Sequence, residues 1–376
     1  MLTPAQIRAL AHVKRRAEAA SGAARERLAA LLERAGLGPS DHRALVQQGP
    51  RNARITLNFH PDRPCADGLT VVERLLAEGQ HRSQFATGIS NGSRTAFAGG
   101  DRDRWEETLF GGAYHGASIG VDERPKYGGL DLMRHADGAC PRFGSCYFEL
   151  RSAVVARCTF TFGDSHTGPE PVGTIEAFEP VLAALFEGVE ATGEALGTGG
   201  LDVASLARSL VATADPGRGE VVSRPPGCAL DAYIEAQIHG DVDLARDVAA
   251  LVIDPAFEGT ETGDPLRSLA EKHGFALHSH PGFVLAPAEV PADFRGPRMV
   301  PLAAHLEERF GSGQGEIDAF VLGRAAQALH HDPASFDGWG TADEALQLLK
   351  QLWHVLVRHG RARPARRLLR ERGVCP

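Results

Sequence analysis

Residues 230–239 alternate strictly. Leu230, Ala232, Ile234, Ala236 and Ile238 fall on one parity, and Asp231, Tyr233, Glu235, Gln237 and His239 on the other. Successive strand side chains point to opposite faces, so the pattern predicts a half-buried β-strand with an outward row of carboxylate, phenol, amide and imidazole groups. "RITLNFH" alternates likewise, with Ile55, Leu57 and Phe59 inward and Thr56, Asn58 and His60 outward. "LTVVERLLAEGQH" has helical spacing closed by Gly79. "FGSCYFELR" and "VVARCTFTFGDS" read as two strands joined by a short turn, hence a hairpin. Helical segments are expected over 174–194 and 201–213, "DVDLARDVAALVID" also reads as helix, and "GFALHSHPGFVLAP" supplies one or two closing strands.

The flanks have a different texture. Residues 1–50 place Ala, Arg and Leu at helical spacing, with "GLGPSD" breaking two helices. Everything after about Val300 reads as helical, notably 341–358 and 364–372. The Gly- and Arg-rich span 88–129 has little periodicity and is expected to be mostly loop, unusually long for structure without function. The fold class is α+β: a mixed or antiparallel sheet core over 51–300, a helical N-terminal extension over 1–50 and a helical region over 301–376.

Composition narrows the function classes. The 376-residue chain is 43% hydrophobic and 23% charged, ordinary values for a soluble globular protein. A formal net charge of −8 argues against a general nucleic-acid binder. The basic tail "RHGRARPARRLLRERG" fits a solvated amphipathic helix. Six scattered cysteines form no C-x-x-C pair, and no apolar run approaches a membrane span, so the expectation is a soluble protein with reduced, mostly buried thiols. The N-terminus has no secretory h-region. His278 and His280 put two imidazoles on one expected strand face, but no third metal ligand stands nearby at a recognisable spacing.

"LNFHPDR", "SQFATGISNG", "ERPKYGGL", "PRFGSCYFEL", "CTFTFGDS" and "YIEAQIHG", arriving in that order, resemble the successive motifs of a family in bacteria and fungi. That family includes the CteC-type effectors, mono-ADP-ribosyltransferases acting on a threonine of ubiquitin. The resemblance spans roughly 51–300. It implies an ADP-ribosyltransferase fold, a split and mostly antiparallel β-core holding NAD in its central cleft. It further implies ubiquitin as protein substrate and delivery as an effector into a host cytosol; with the charge and hydropathy above, no nucleic-acid or membrane partner is expected.

Carried onto this chain, the resemblance gives the first-strand NAD-binding role to His60, with Arg63 beside it suited to phosphate by its planar fork. The glutamate that binds the nicotinamide-ribose hydroxyl falls on Glu235. Cleavage of the nicotinamide–ribose bond passes through an oxocarbenium-like state, which an ionised carboxylate stabilises. An acceptor hydroxyl must also lose its proton, late in the reaction to Glu235 or instead to Asp164. Arginine-modifying relatives carry Glu-x-Glu or Gln-x-Glu; here the order is Glu235-Ala236-Gln237, a site poorly suited to a guanidinium and in keeping with a hydroxyl acceptor.

The middle of the cleft leaves alternatives. Tyr127 stacks on nicotinamide or serves as a turn tyrosine. "GISNGS" offers Ser90 and Asn91 to phosphate or amide, or is an ordinary Asn-Gly turn. Ser145 frames the nicotinamide or is a small residue in a packed strand. Arg94, Arg102 and Arg104 guide pyrophosphate or solvate a loop, and Trp105 is expected to be a packing anchor. An NAD glycohydrolase toxin using the same cleft, and a non-enzymatic partner-binding module, are the competing readings.

Overall fold

The computed structural model describes residues 1–51, 53–88, 96–168, 170–212 and 227–363. Its centre is an eight-stranded sheet: β1 (Arg54–Phe59), β2 (Lys126–Asp131), β3 (Cys146–Leu150), β4 (Cys158–Phe162), β5 (Val172–Thr174), β6 (Ile234–Ile238), β7 (Val248–Ile253) and β8 (Ala276–Ser279). The spatial order is β8-β7-β3-β1-β2-β6-β4-β5. Every pairing is antiparallel except the parallel β7–β8 edge, so the protein is α+β with a mixed sheet.

Two local expectations give way to this topology. β3 and β4 are not a hairpin, because β1, β2 and β6 lie between them and the 3₁₀ stretch Ser152–Arg157 carries the chain away. The segment expected as a helix near 241–254 holds only one helical turn, Leu244–Asp247, capped by the Asp243 side chain. Val248–Ile253 then runs as a strand buried along nearly its whole length, and a short apolar run of that kind cannot be told from a buried helix by periodicity. The 88–129 span, of which 89–95 lie outside the described residues, holds one α-helix, α4 below, and the start of β2, with irregular chain over much of the rest.

Capping and helical spacing fix the flanks. Helix α1 (Pro4–Arg34) starts with a Thr3 capping box and Pro4 in its first turn, and buries Ala9, Val13, Ala17, Ala24, Leu28 and Leu31 along one face. After α2 (Pro39–Gln48), α3 (Val71–Glu78) is capped by Thr70 and ended by Gly79 in the left-handed conformation, as its sequence predicts. Helix α4 (Asp101–Phe110) follows, then α5 (Glu179–Thr192), which lies along α1 and is tied to it by Arg25–Glu179, Arg27–Glu187 and Arg34–Glu190. Helices α6 (Val203–Ala212), α7 (Gly263–His273), α8 (Met299–Phe310), α9 (Ala319–His331) and α10 (Ala342–His359) complete the flanks. One hydrophobic core takes in Leu28 of α1, Phe148 of β3 and Trp353 of α10, so the helical ends share the core of the sheet. The helix expected over 364–372 lies outside the described residues, and no described helix is long and apolar enough to cross a membrane.

The sheet parts in the middle. β1 pairs with β2 only through Arg54↔Asp131, Ile55↔Leu130 and Thr56↔Gly129. Beyond Thr56, β1 stays with β3 as far as Phe59, while the first half of β2 stays with β6. Gly128 marks the fork, since a Cβ there would lie 2.4 Å from the Thr56 carbonyl oxygen. A chain segment packs over the fork: the Ala139 N–H donates to Thr56 Oγ1, and the Asn58 amide donates to the Asp137 and Gly144 carbonyls. At the closed end Arg54 donates to Asp131 (2.8 Å), Glu149 (2.9 Å) and the His135 carbonyl (2.8 Å), spanning β2, β1 and β3.

The Asp131 side chain is 0% exposed, so removing Arg54 leaves a buried carboxylate without its counter-charge. Arg54→Ala is expected to cost about 3–5 kcal/mol in urea unfolding. A loss below about 1 kcal/mol would show that the clamp is not what holds the strands together.

Candidate active site

Where β1 and β2 separate, a cleft of about 820 Å³ opens. That size is typical of sites for small organic ligands and cofactors. Asn58 and Phe59 line it from β1 and His60 from just beyond that strand, Lys126 and Tyr127 from β2, and Glu235 from β6. Asp164 and His166, just past β4, close one end, while Arg102 and Trp105 of α4 form another wall. Lys350 enters from α10.

The polar row on β6 is not a solvent face. Tyr233, Glu235, Gln237 and His239 are all buried, with Glu235 at 3% exposure, and the strand is covered on both sides. Each polar group is satisfied by a hydrogen-bond chain, which burial demands. The Gln237 amide nitrogen donates to Glu235 Oε1 (2.9 Å) and Thr161 Oγ1 (3.2 Å), and its oxygen accepts from Thr159 Oγ1 (2.7 Å). Thr159, having spent its proton on Gln237, accepts from His239 Nε2–H (3.1 Å). The other ring nitrogen, Nδ1, then accepts from the Tyr114 hydroxyl (2.5 Å). Burial pushes the His239 pKa down to about 3, which keeps the ring neutral and the chain in this one sense. Gln237 therefore does not line the cleft; it holds Glu235 from one position deeper.

Two carboxylates face the same end of the cleft under different conditions. Burial, reinforced by the nearby Asp164 carboxylate, raises the pKa of Glu235 above the ordinary carboxylate range. Burial pushes Asp164 up as well, but hydrogen bonds from His166 and Tyr233 outweigh it and leave that pKa lowered. The Tyr233 hydroxyl donates to Asp164 Oδ2 at 2.8 Å. The Ser165 hydroxyl is buried beside this pair without a hydrogen bond of normal geometry.

The β1 side is basic. His60 lies past the strand end with its ring edge-on to Trp353 at 4.9 Å, and burial pushes its pKa well below the usual histidine value. The Arg63 guanidinium lines the cleft and makes no hydrogen bond or ion pair among the described residues; burial lowers its pKa. Tyr127 forms part of the wall: its hydroxyl donates to Glu106 (2.7 Å), and the Arg102 guanidinium stacks on its ring at 4.6 Å and on Trp105 at 4.7 Å. Trp105 is thus a cleft residue rather than only a packing anchor.

The remaining candidates separate clearly. Ser145 is buried away from the cleft, where its carbonyl accepts from His280 Nε2 (2.7 Å), so the packed-strand alternative holds for it. Ser90, Asn91 and Arg94 lie outside the described residues. His278 is exposed while His280 is buried, so the two imidazoles do not share a surface. Cys65, Cys140, Cys146 and Cys158 are buried free thiols and Cys228 is half-buried; Cys375 lies outside the described residues. Lys350, Glu106 and His166 went unnoticed in the sequence. Only His166 had a local signal there, as the second residue after Asp164 at the end of a polar-faced strand.

A carboxyl whose pKa is raised by folding holds its proton in the native state after the unfolded chain has lost it. Stability therefore falls as pH climbs from the unfolded value of Glu235 through its raised native value, then levels off. Glu235→Gln keeps the shape and an oxygen for the Gln237 amide but removes this ionisation. The stability difference between variant and parent, read from urea unfolding at several pH values, is expected to shift in favour of the variant from pH 4 to pH 8. A pH-independent difference would contradict the raised pKa.

No curated protein matches the chain. Residues 54–359 match a family described as a protein of unknown function, DUF3626. The matched region runs from the first residue of β1 to the last of α10, taking in both walls of the cleft and the helix that carries Lys350. The chain belongs to the DUF3626 family.

Proposed function

We propose that this protein is an NAD-dependent mono-ADP-ribosyltransferase that moves ADP-ribose from NAD to a protein hydroxyl and releases nicotinamide. A threonine of ubiquitin is the acceptor that the resemblance offers. One observation carries the reading: the sheet splits between the strand that leads to His60 and the strands bearing Tyr127 and Glu235, and all three side chains line the resulting cleft. A first-strand histidine, a middle aromatic and a later-strand glutamate are the groups the resemblance requires in one NAD-binding site.

The chemistry of each group suits such a substrate. The unpaired Arg63 fork and the neighbouring His60 suit the phosphates and adenosine ribose. Glu235, oriented by Gln237, suits a hydrogen bond to the nicotinamide-ribose hydroxyl. The cationic nicotinamide ring beside it would favour ionisation of its raised carboxyl, so charge appears on Glu235 when substrate is in place. That carboxylate then stabilises the positive charge growing on the ribose as the nicotinamide departs.

The direct test is intact-protein mass spectrometry of ubiquitin incubated with the protein and NAD, beside Glu235→Gln. Because Glu235 is buried and hydrogen-bonded, glutamine is a safer replacement than alanine. The parent is expected to add one ADP-ribose unit, and the variant to lose about 10²-fold or more in rate while remaining folded. NAD consumption without a gain on ubiquitin would favour water or another protein as acceptor. Neither NAD consumption nor a rise in melting temperature with NAD would refute the enzyme reading, since a ligand bound only by the folded state must stabilise it.

A further inference from the structure

The proton of the attacking hydroxyl needs an acceptor, and Asp164 is badly placed to be one. Both of its oxygens are engaged: Oδ2 accepts from the Tyr233 hydroxyl at 2.8 Å, and Oδ1 accepts from the His166 backbone N–H at 3.2 Å and lies 2.7 Å from His166 Nδ1. The arrangement instead prepares the imidazole. A carboxylate oxygen 2.7 Å from Nδ1 favours the neutral tautomer with its proton on Nδ1, leaving the Nε2 lone pair free. His166 lines the same cleft as Glu235, its side chain is 53% exposed, and Nε2 has no partner among the described residues. The other two imidazoles on the cleft wall, His60 and His81, are only partly exposed, whereas His166 stands at the mouth with Trp105 edge-on to it at 6.2 Å.

We infer that His166, oriented by Asp164, is the general base that takes the proton from the acceptor hydroxyl. The inference rests on the transferase reading given above. In the step, the bond between the ribose C1′ and the nicotinamide nitrogen breaks, with its electron pair passing to the nicotinamide, which leaves neutral. The acceptor oxygen bonds to C1′ and its proton moves to Nε2. The imidazolium so formed is held against the Asp164 carboxylate, and its exposed edge returns the proton to solvent. The same carboxylate–imidazole logic activates hydroxyls in serine hydrolases. The two carboxylates then divide the work, with Glu235 serving the ribose and Asp164 acting only through His166.

The test compares parent, Glu235→Gln, His166→Gln and His166→Ala. Turnover is read as nicotinamide released in the presence of ubiquitin, so that protein and water acceptors both count. Binding is read as the shift in melting temperature produced by NAD. Both His166 variants are expected to show the parental NAD shift while turnover falls about 10²-fold or more. Added imidazole is expected to restore turnover to His166→Ala in a dose-dependent way, which loss of a merely structural contact would not allow. Turnover within a few-fold of the parent, or no rescue despite a parental NAD shift, would overturn the base assignment while leaving the transferase reading intact. A parent that neither releases nicotinamide nor is stabilised by NAD would overturn both.

Discussion

The geometry of the cleft depends on a pairing that stops early. β1 and β2 are joined at three residue pairs and then part, and Arg54 secures the closed end by bonding to three acceptors on or beside neighbouring strands. A sheet that opens must still satisfy the backbone and side-chain polar groups it exposes at the fork. Here the chain around Asp137, Ala139 and Gly144 does so through Thr56 and Asn58. Close approach is possible only because the contacting positions lack side chains. A Cβ on Gly129 would lie 2.5 Å from the Cys140 sulfur, and one on Gly144 would lie 2.1 Å from the Phe59 carbonyl carbon. The site is therefore built at a place where ordinary sheet continuation has been interrupted and the interruption braced.

Bracing extends to the reactive end. Glu235 is held through Gln237, Thr159, His239 and Tyr114, a run of groups whose donors and acceptors all point in one sense when Glu235 is ionised. Such a network holds the ionised carboxylate firmly because a reversal then leaves two like partners facing each other in a low-dielectric interior. Reversing the Gln237 amide, for instance, would turn its oxygen toward the Glu235 carboxylate and toward Thr161, whose own proton goes to the Gly163 carbonyl. The residue that interrupts the Glu-x-Glu pattern thus has a definite role, donating to the glutamate rather than adding a second negative charge.

The elements most legible in the sequence were those set by local chemistry. The Thr70 cap and Gly79 stop of α3, the period-two alternation of β1 and β6, and the long amphipathic α1 follow from rules that act within a few residues. What the alternation could not reveal is what each face meets: the polar side of β6 looks like a solvent face in one dimension and lies in a buried network in three. Sequence neighbourhood also misled for β3 and β4, since pairing is decided by which strands share the core and not by which are consecutive. Among candidate residues, the motif resemblance pointed to His60, Arg63, Tyr127, Asp164 and Glu235, and all five line the cleft. Ser145 failed because its motif placed it only near a strand start, where packing claims it. Lys350 had no signal at all: it sits on an ordinary amphipathic helix and meets the cleft only through tertiary packing.

The two carboxylates at the end of the cleft show how one small volume can offer unlike groups. Enclosure raises the pKa of Glu235, whereas Asp164 has a phenol and an imidazole to stabilise its charge, which leaves its pKa lowered. Environments that push paired acids apart are a recurrent way of dividing roles within a site. The division has a spatial side as well. Glu235 is enclosed and faces the interior of the cleft, while Asp164 is coupled to a half-exposed imidazole at its mouth. A substrate bound along the floor would meet the first group, and a second reactant arriving from solvent would meet the second. For a reaction that joins a cleft-bound donor to the hydroxyl of another protein, that inner-to-outer order is the arrangement the chemistry needs.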